Sequence, residues 1–209
     1  MINKKFLFII VGVVAALAVF AIFANRPGQQ TQQNQYAEDN LLLKQKLAER
    51  GISMSSPILI QKPEGIAKYC TFFTNDEKQK AIEYCTSTEL KDKAGKFLGN
   101  VHMVGSSNEP KVVIALIQTD PFMSQIDSVK IVFDQTIQGL VCDCWQQEKP
   151  DNFASVEEWV EGLRQFHLSD TKPHSKSKQL DLESKSIQLE LTTNKDGYFW
   201  QLFIYSKSV

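Results

Sequence analysis

Recognisable catalytic signatures are absent from this chain. It has no G-x-S-x-G serine, no H-E-x-x-H helix, no phosphate-binding loop and no dinucleotide-binding glycine motif, and it contains only three histidines. Excess positive charge is also absent, because residues 37–209 carry 20 basic and 24 acidic side chains, a net charge of −4. Nucleic-acid binding needs clustered positive charge. The composition therefore predicts no nucleic-acid partner and no cofactor, and it favours a non-enzymatic role.

One long apolar run, Phe6–Ala24 (FLFIIVGVVAALAVFAIFA), carries no charge. At ~1.5 Å per residue its nineteen residues span roughly the 30 Å hydrocarbon core of a bilayer, which predicts a transmembrane helix in contact with lipid. The alternative is a cleaved signal peptide, whose apolar region usually has ~7–15 residues and ends in small side chains. Ile22 and Phe23 are bulky, so a retained helix is favoured, although the sequence leaves cleavage open.

The charges that flank this run predict its orientation. Lys4 and Lys5 precede it, and only Arg26 follows it closely. Lysine and arginine concentrate on the cytoplasmic side of membrane proteins. We therefore predict a single-pass protein of the cell membrane, with residues 1–5 as a cytoplasmic tail and the chain beyond residue 24 outside the cytoplasm.

The chain beyond the membrane helix divides into a tether and a domain. Residues 25–35 contain no large apolar side chain and are rich in glutamine, so they cannot bury enough surface to fold. Residues 36–209 are long enough for one domain with a substantial core. We expect a flexible tether followed by one extracytoplasmic domain.

Local patterns predict helices and strands in the first half of this domain. A helix is predicted at 36–50, with Gly51 as its C-terminal cap and with Leu43 and Leu47 facing the domain or a second copy of the chain. The further predictions are extended segments at 57–61 and 67–73, a helix from an Asn75 cap to about Glu89, and a hairpin of strands at 97–104 and 111–119.

Residues 125–147 fit both a helix and a strand. Their apolar side chains recur at i, i+3 and i+4, as on one face of a helix, but Val129, Ile131 and Phe133 also alternate. The absence of an internal turn signal favours a helix that follows Asp120 and continues to about Gln147.

Clearer signals follow in the last third of the chain. Ser155 and Glu158 form a capping box that predicts a helix with an apolar stripe of Trp159, Leu163 and Phe166. Strands are predicted at 178–191, with a break allowed at 183–185, and at 198–206, on either side of a turn at 194–197. All these elements predict an α+β fold, in which an N-terminal transmembrane helix precedes one domain with a mainly antiparallel sheet packed by helices.

Four cysteines, Cys70, Cys85, Cys142 and Cys144, form an even set in a compartment that is predicted to be oxidising. We expect two structural disulfides, and four cysteines allow three connectivities. On a helix, Cys142 and Cys144 would point ~200° apart. That angle disfavours a bond between them and favours bonds from Cys70 and Cys85 to this pair, although the connectivity stays open.

The Cys142-Asp143-Cys144 segment has a second interpretation as a reactive dithiol or a soft-metal site. A close thiol pair can exchange disulfides or bind Cu(I), and His102 and Met103 could add ligands. However, C-x-C alone is a weak motif, and Asp143 disfavours a thiolate by like charge. The sequence therefore assigns no catalytic, cofactor-binding or metal residue. It keeps Cys142, Cys144, His102 and Met103 only as candidate metal ligands.

Two stretches, 68–90 (KYCTFFTNDEKQKAIEYCTSTEL) and 140–150 (LVCDCWQQEKP), together with the apolar run before them, resemble small single-pass membrane proteins of ammonia-oxidising archaea. The resemblance covers most of the predicted extracytoplasmic domain. It implies an archaeal cell-surface setting and transfers no catalytic or binding residue.

The sequence thus leads to two functional hypotheses. The first is a membrane-tethered extracytoplasmic domain that binds a protein partner, or a second copy of itself, or contributes to the envelope. The second is a membrane-anchored thiol-redox or copper-handling protein that uses Cys142 and Cys144.

Overall fold

The computed structural model describes residues 34–73, 76–169 and 172–207, and residues 34–209 form one compact unit. The predicted transmembrane helix at 6–24 lies outside the described residues, as does Asn75. Within the described ranges, no helix is both long enough and apolar enough to cross a bilayer.

An antiparallel sheet is the centre of the domain. In the described part of the chain it has nine strands: β1 (Ser53–Met54), β2 (Ile58–Ile60), β3 (Tyr84–Lys91), β4 (Phe97–Gly105), β5 (Pro110–Thr119), β6 (His174–Lys176), β7 (Leu180–Leu182), β8 (Lys185–Asn194) and β9 (Gly197–Ser206). The long strands lie in the order β3-β4-β5-β9-β8, with β1 and β2 on the outer side of β3 and with β6 and β7 on the outer side of β8. The predicted α+β class with a mainly antiparallel sheet is confirmed.

Helices of different length cover the two faces of this sheet. They are α1 (Gln35–Glu49), α2 (Pro63–Tyr69), α3 (Asp76–Lys80), α4 (Ile126–Leu140), α5 (Trp145–Glu148) and α6 (Val156–Leu168), with a short 3-10 helix at Pro150–Asn152. The long helices α1, α4 and α6 bury their apolar sides in the larger core on one face. The segment that contains α2 and α3 lies on the other face, where a smaller core includes Ile66 and Ile82. We call the face covered by α1, α4 and α6 the helix face, and the face covered by the segment with α2 and α3 the strap face.

The first helix follows its prediction closely. The Asn34 side chain accepts a hydrogen bond from the Tyr36 N–H at 3.1 Å and so caps the N-terminus. At the other end, the N–H of Gly51 donates to the Ala48 carbonyl and that of Ile52 donates to the Leu47 carbonyl, which is a Schellman motif. Gly51 has a φ of +78°, which a residue without a side chain adopts at no steric cost.

Leu43 and Leu47 of α1 are both fully buried in the core of their own domain. Leu41, on the opposite side of the same helix, is 59% exposed. Of the two alternatives that the sequence left for Leu43 and Leu47, the structure therefore shows packing against the domain.

The predictions for residues 67–89 were wrong. Residues 63–69 form a helix rather than a strand, since Pro63 occupies its first position, where a missing N–H costs nothing. The helix predicted to continue to Glu89 ends at Lys80, and β3 begins at Tyr84. Both faces of β3 are largely covered, so its sequence lacks the apolar–polar alternation that identifies a half-exposed strand.

The helix predicted across 125–147 is confirmed as a helix, but its limits differ. Asp120 accepts hydrogen bonds from the N–H groups of Phe122 and Ser124 in a turn, and Met123 has a φ of +55°, so α4 starts only at Ile126. The helix then ends at Leu140, well before Gln147.

Predictions for the last third of the chain are confirmed, with one exception. The Ser155 side chain accepts from the Glu158 N–H at 3.1 Å and caps α6, and the predicted 178–191 segment divides into β7 and β8 with a break at 183–184. Trp159 and Leu163 are buried. Phe166 is the exception, because it is 50% exposed and lies under the Lys172 ammonium, 4.1 Å from its ring centroid.

The packing of α1 leads to a first prediction. We expect Leu47→Ala to lower the free energy of unfolding by about 2–5 kcal/mol, because it removes a fully buried side chain and leaves a cavity. The matched variant Leu41→Ala changes an exposed leucine of the same helix and should shift stability by less than about 0.5 kcal/mol. Urea unfolding of both variants measures the difference, and equal losses would show that α1 packs by another side.

Candidate functional site

The described residues contain a disulfide between Cys142 and Cys144. Its two Cα atoms are 5.2 Å apart. Both cysteines are half-buried, and they lie against the edge of the helix-face core. This bond contradicts the favoured ties from Cys70 and Cys85, which assumed that Cys142 and Cys144 belong to a continuous helix.

The chain between α4 and α5 explains why this bond can form. The N–H groups of Val141 and Cys142 both donate to the Ile137 carbonyl, which closes the last turn of α4. Cys144 then precedes the first residue of α5. Because the two cysteines lie in the turn between these helices, the ~200° separation of a regular helix does not apply to them.

Glu183 is the third polar group at this disulfide. It lies in the turn between β7 and β8 with a φ of +48°, and a carboxylate oxygen and the two sulfurs all lie within 4.8 Å of one another. Among the described residues, this is the one group of three or more cysteine, histidine or carboxylate ligands gathered so closely. When the disulfide is reduced, this group offers two sulfur ligands and one oxygen ligand to a metal. When it is oxidised, the disulfide can exchange with thiols.

The candidate metal ligands His102 and Met103 are not brought to this group. They are neighbours on β4, so their side chains lie on opposite faces of the sheet. Met103 is fully buried on the helix face, where its sulfur accepts a hydrogen bond from Asn40 at 3.3 Å. The His102 ring lies on the strap face, 4.8 Å from the ring of Phe72 between centroids.

The other two cysteines, Cys70 and Cys85, are buried together on the strap face. Cys70 follows the last residue of α2, and Cys85 lies on β3. Both have free thiols, and the Cys85 thiol donates to the Thr86 carbonyl at 3.6 Å. The sheet thus separates this pair from Cys142 and Cys144.

A polar cleft of about 430 Å³ opens at the end of the sheet where α1 begins. Burial raises the pKa of Asp39, which accepts a hydrogen bond from Gln35 at 2.8 Å. Across the cleft, Lys185 donates to the Ser206 hydroxyl at 2.8 Å. Leu140 and Val141 also line the cleft, and the disulfide follows directly after them in the chain. No sequence signal marked Asp39 and Lys185, because they come from a helix and a strand almost 150 residues apart.

Three acidic residues of α6 have structural roles or face solvent. Glu158 accepts from the Ala154 N–H at 2.6 Å, and Glu161 pairs with Arg164 at 2.6 Å and with Lys130 at 3.6 Å. Glu157 is exposed.

His167 is the most buried histidine and occupies a hydroxyl-lined site. Its Nδ1 is 2.8 Å from the Ser175 hydroxyl and its Nε2 is 2.8 Å from the Thr193 hydroxyl. Burial, with a smaller contribution from His174, lowers its pKa. Ser175 is itself 3% exposed, and this arrangement holds α6 on β6 and β8.

Comparison of the chain with protein-family models, curated proteins and solved structures finds no match. The function must therefore be argued from the Cys142–Cys144 group and the cleft beside it.

His102 leads to a prediction on pH dependence. Burial lowers its pKa to about 4, a hydrogen bond with the Thr86 backbone offsets only part of this, and its buried Nδ1 has no hydrogen-bond partner among the described residues. The folded histidine therefore stays neutral where the unfolded one, with a pKa near 6.5, takes up a proton. The stability is complete above about pH 6.5 and falls as the pH drops towards 4, by at most about 3 kcal/mol from this residue.

We expect His102→Gln, which cannot titrate, to flatten the slope of unfolding free energy between pH 6.5 and 4. The wild-type protein, which keeps all three histidines, is the comparison. Urea unfolding at a series of pH values measures both slopes. Identical slopes for His102→Gln and the wild type would contradict this assignment.

Proposed function

We propose that this protein is a membrane-tethered extracytoplasmic thiol–disulfide exchange protein that uses the Cys142–Cys144 pair. The observation that carries the proposal is the half-buried disulfide between two cysteines separated by a single residue. The bond closes a short loop and its two cysteines are only half-buried, so neither its loop length nor its burial indicates a structural support.

Loop length makes the first argument. A disulfide stabilises a fold mainly by restricting the unfolded chain, and this effect grows with the length of the closed loop. The loop from Cys142 to Cys144 is close to the shortest possible, which corresponds to only about 1.6 kcal/mol, against about 3 kcal/mol for a loop of ~15 residues. The bond therefore adds little to the fold, which leaves chemistry as its use.

Atoms and electrons balance when the Cys142–Cys144 disulfide exchanges with a dithiol partner. A partner thiolate attacks one sulfur, the Cys142–Cys144 bond breaks, and the released cysteine takes up a proton. The partner's second thiol then attacks the mixed disulfide, which releases the partner as a disulfide and leaves both cysteines as thiols. Two electrons and two protons move from the partner dithiol to this protein, and a second disulfide compound restores the starting state.

The charges at the pair disfavour its use as an attacking nucleophile. The Glu183 carboxylate lies within 4.8 Å of the sulfurs, and Asp143 is exposed between the cysteines. Both negative charges disfavour a thiolate in the reduced protein. The predicted location outside the cytoplasm favours the disulfide as the resting state, since disulfides persist there.

A binding module is the second candidate function, and the cleft at the start of α1 favours it. Its walls carry Asp39 with a raised pKa and the Lys185 ammonium, which suit a small polar ligand or the polar segment of a partner. In this alternative the disulfide only shapes the neighbouring turn.

Substitution of the two cysteines separates these functions. We expect the Cys142→Ser, Cys144→Ser double variant to stay folded and to lose no more than about 2 kcal/mol of unfolding free energy. One of the two single variants should accumulate in cells a mixed disulfide with the disulfide compound that restores the starting state, because the second cysteine that would displace this compound is missing. Non-reducing electrophoresis of the full chain before and after reductant measures this adduct, and the double variant is the control.

Absence of an adduct from both single variants would contradict thiol exchange. Association with a partner that survives the double variant but is lost in Asp39→Ala and Lys185→Ala would support the binding module instead. A loss of more than about 3 kcal/mol in the double variant would show that the bond is a structural support.

The predicted orientation has its own test. Protease added to intact cells should digest the chain beyond residue 24, because Lys4 and Lys5 place the N-terminus inside. Immunoblotting of the full-length protein reads the result, with detergent-permeabilised cells as the control. A domain that is protected in intact cells and digested after permeabilisation would place it in the cytoplasm, where a stable disulfide is not expected.

A further inference from the structure

The strap face holds a second pair of cysteines that thiol exchange at Cys142 does not use. We define the strap as residues 61–73 and 76–83, which lie between β2 and β3 in the chain and contain α2 and α3. Ile66, Cys70 and Ile82 of the strap pack on Cys85 and its strand neighbours Val104, Ile114 and Phe203, and all these side chains are buried. The strap is attached to the sheet mainly by this small apolar cluster.

Cys70 and Cys85 belong to the same buried cluster. Both are fully buried, and each thiol affects the pKa of the other. The sheet separates them from Cys142 and Cys144, which lie against the helix-face core. Of the three connectivities that four cysteines allow, only the one that pairs Cys70 with Cys85 and Cys142 with Cys144 joins cysteines on the same face.

We propose that Cys70 and Cys85 form a second disulfide, which locks the strap onto the sheet. With glutathione disulfide as the oxidant, a glutathione mixed disulfide forms on one cysteine and the other cysteine displaces the glutathione. The S–S bond of the oxidant breaks, the Cys70–Cys85 bond forms, and the two thiol protons leave with two molecules of glutathione.

Burial controls when this step can occur. Desolvation raises the pKa of both thiols, so the closed strap holds them protonated and away from solvent. Oxidation therefore requires transient opening of the strap, and the closed loop then contains about 15 residues. A loop of that length corresponds to roughly a hundredfold change in the equilibrium for opening.

The Cys70–Cys85 disulfide also affects the shape of a second cleft. The strap residues Phe73 and Ile82 line a mainly apolar cleft of about 430 Å³, with Val104, Val112 and Tyr205 of the sheet opposite. A disulfide a few residues from these walls fixes the strap against the sheet and so fixes the shape of this cleft.

Trypsin separates the relevant cysteines, which makes peptide mapping decisive. Cys70 lies in the peptide 69–78, Cys85 in 81–91, and Cys142 and Cys144 share the peptide 131–164. The full chain in detergent micelles is incubated with glutathione disulfide in mild urea, alkylated, and digested without reduction. We expect the peptides 69–78 and 81–91 to be joined, and the link to disappear after reduction.

Free, alkylated Cys70 and Cys85 after this treatment would overturn the proposal, as would a link from either peptide to 131–164. The Cys142→Ser, Cys144→Ser variant should keep the 69–78 to 81–91 link, so failure of this lock is distinguishable from failure of thiol exchange at the other pair. In the folded protein, tryptic cleavage after Lys80 should be at least about tenfold slower for the oxidised than for the reduced wild type. Cys70→Ala should cleave as fast as the reduced wild type in either condition, and equal rates for oxidised and reduced wild type would overturn the lock.

Discussion

Alternation of side chains along strands that are covered on both faces is the constraint on which the rest of this structure depends. Neighbours in the sequence are sent to opposite sides of the sheet, as His102 and Met103 are on β4. Groups from distant segments are brought together on one side, as Thr88 of β3 is with Asn40 of α1 at 3.0 Å. The same rule directs Cys85 to the strap face and keeps it from Cys142 and Cys144.

The ends of the helices on the helix face control the second feature, the half-buried cysteine pair Cys142 and Cys144. Because α4 ends at Leu140, the next four residues form a turn in which Cys142 and Cys144 can meet. Glu183 reaches the same place through a left-handed turn between β7 and β8. One pair thus spans a minimal loop at the surface and the other spans a long segment in the interior. Because a longer closed loop restricts the unfolded chain more, a disulfide stabilises the fold less across the first pair than across the second.

Sequence patterns predicted the elements that have a local signature. The helices α1 and α6 have one solvated side, so burial leaves a periodic trace in their residues, and turn residues mark the β4–β5 and β8–β9 hairpins. The segment from 67 to 89 was wrongly predicted because β3 is buried on both sides and the helix α2 has only seven residues. For the site, the sequence identified Cys142 and Cys144 as the reactive candidates, but their bond was judged unfavourable because the end of α4 was placed too late.

The sequence by itself determined the fold class and the apolar run at 6–24, and it identified Cys142 and Cys144 as candidates, since composition and short-range periodicity are local properties. The tertiary structure alone decided which cysteines lie together, where His102 and Met103 point, and that Glu183, Asp39 and Lys185 lie at one end of the domain. These relations join residues that are far apart in the chain. They follow from strand register and from the points at which helices end, and neither leaves a signature in a single stretch of residues.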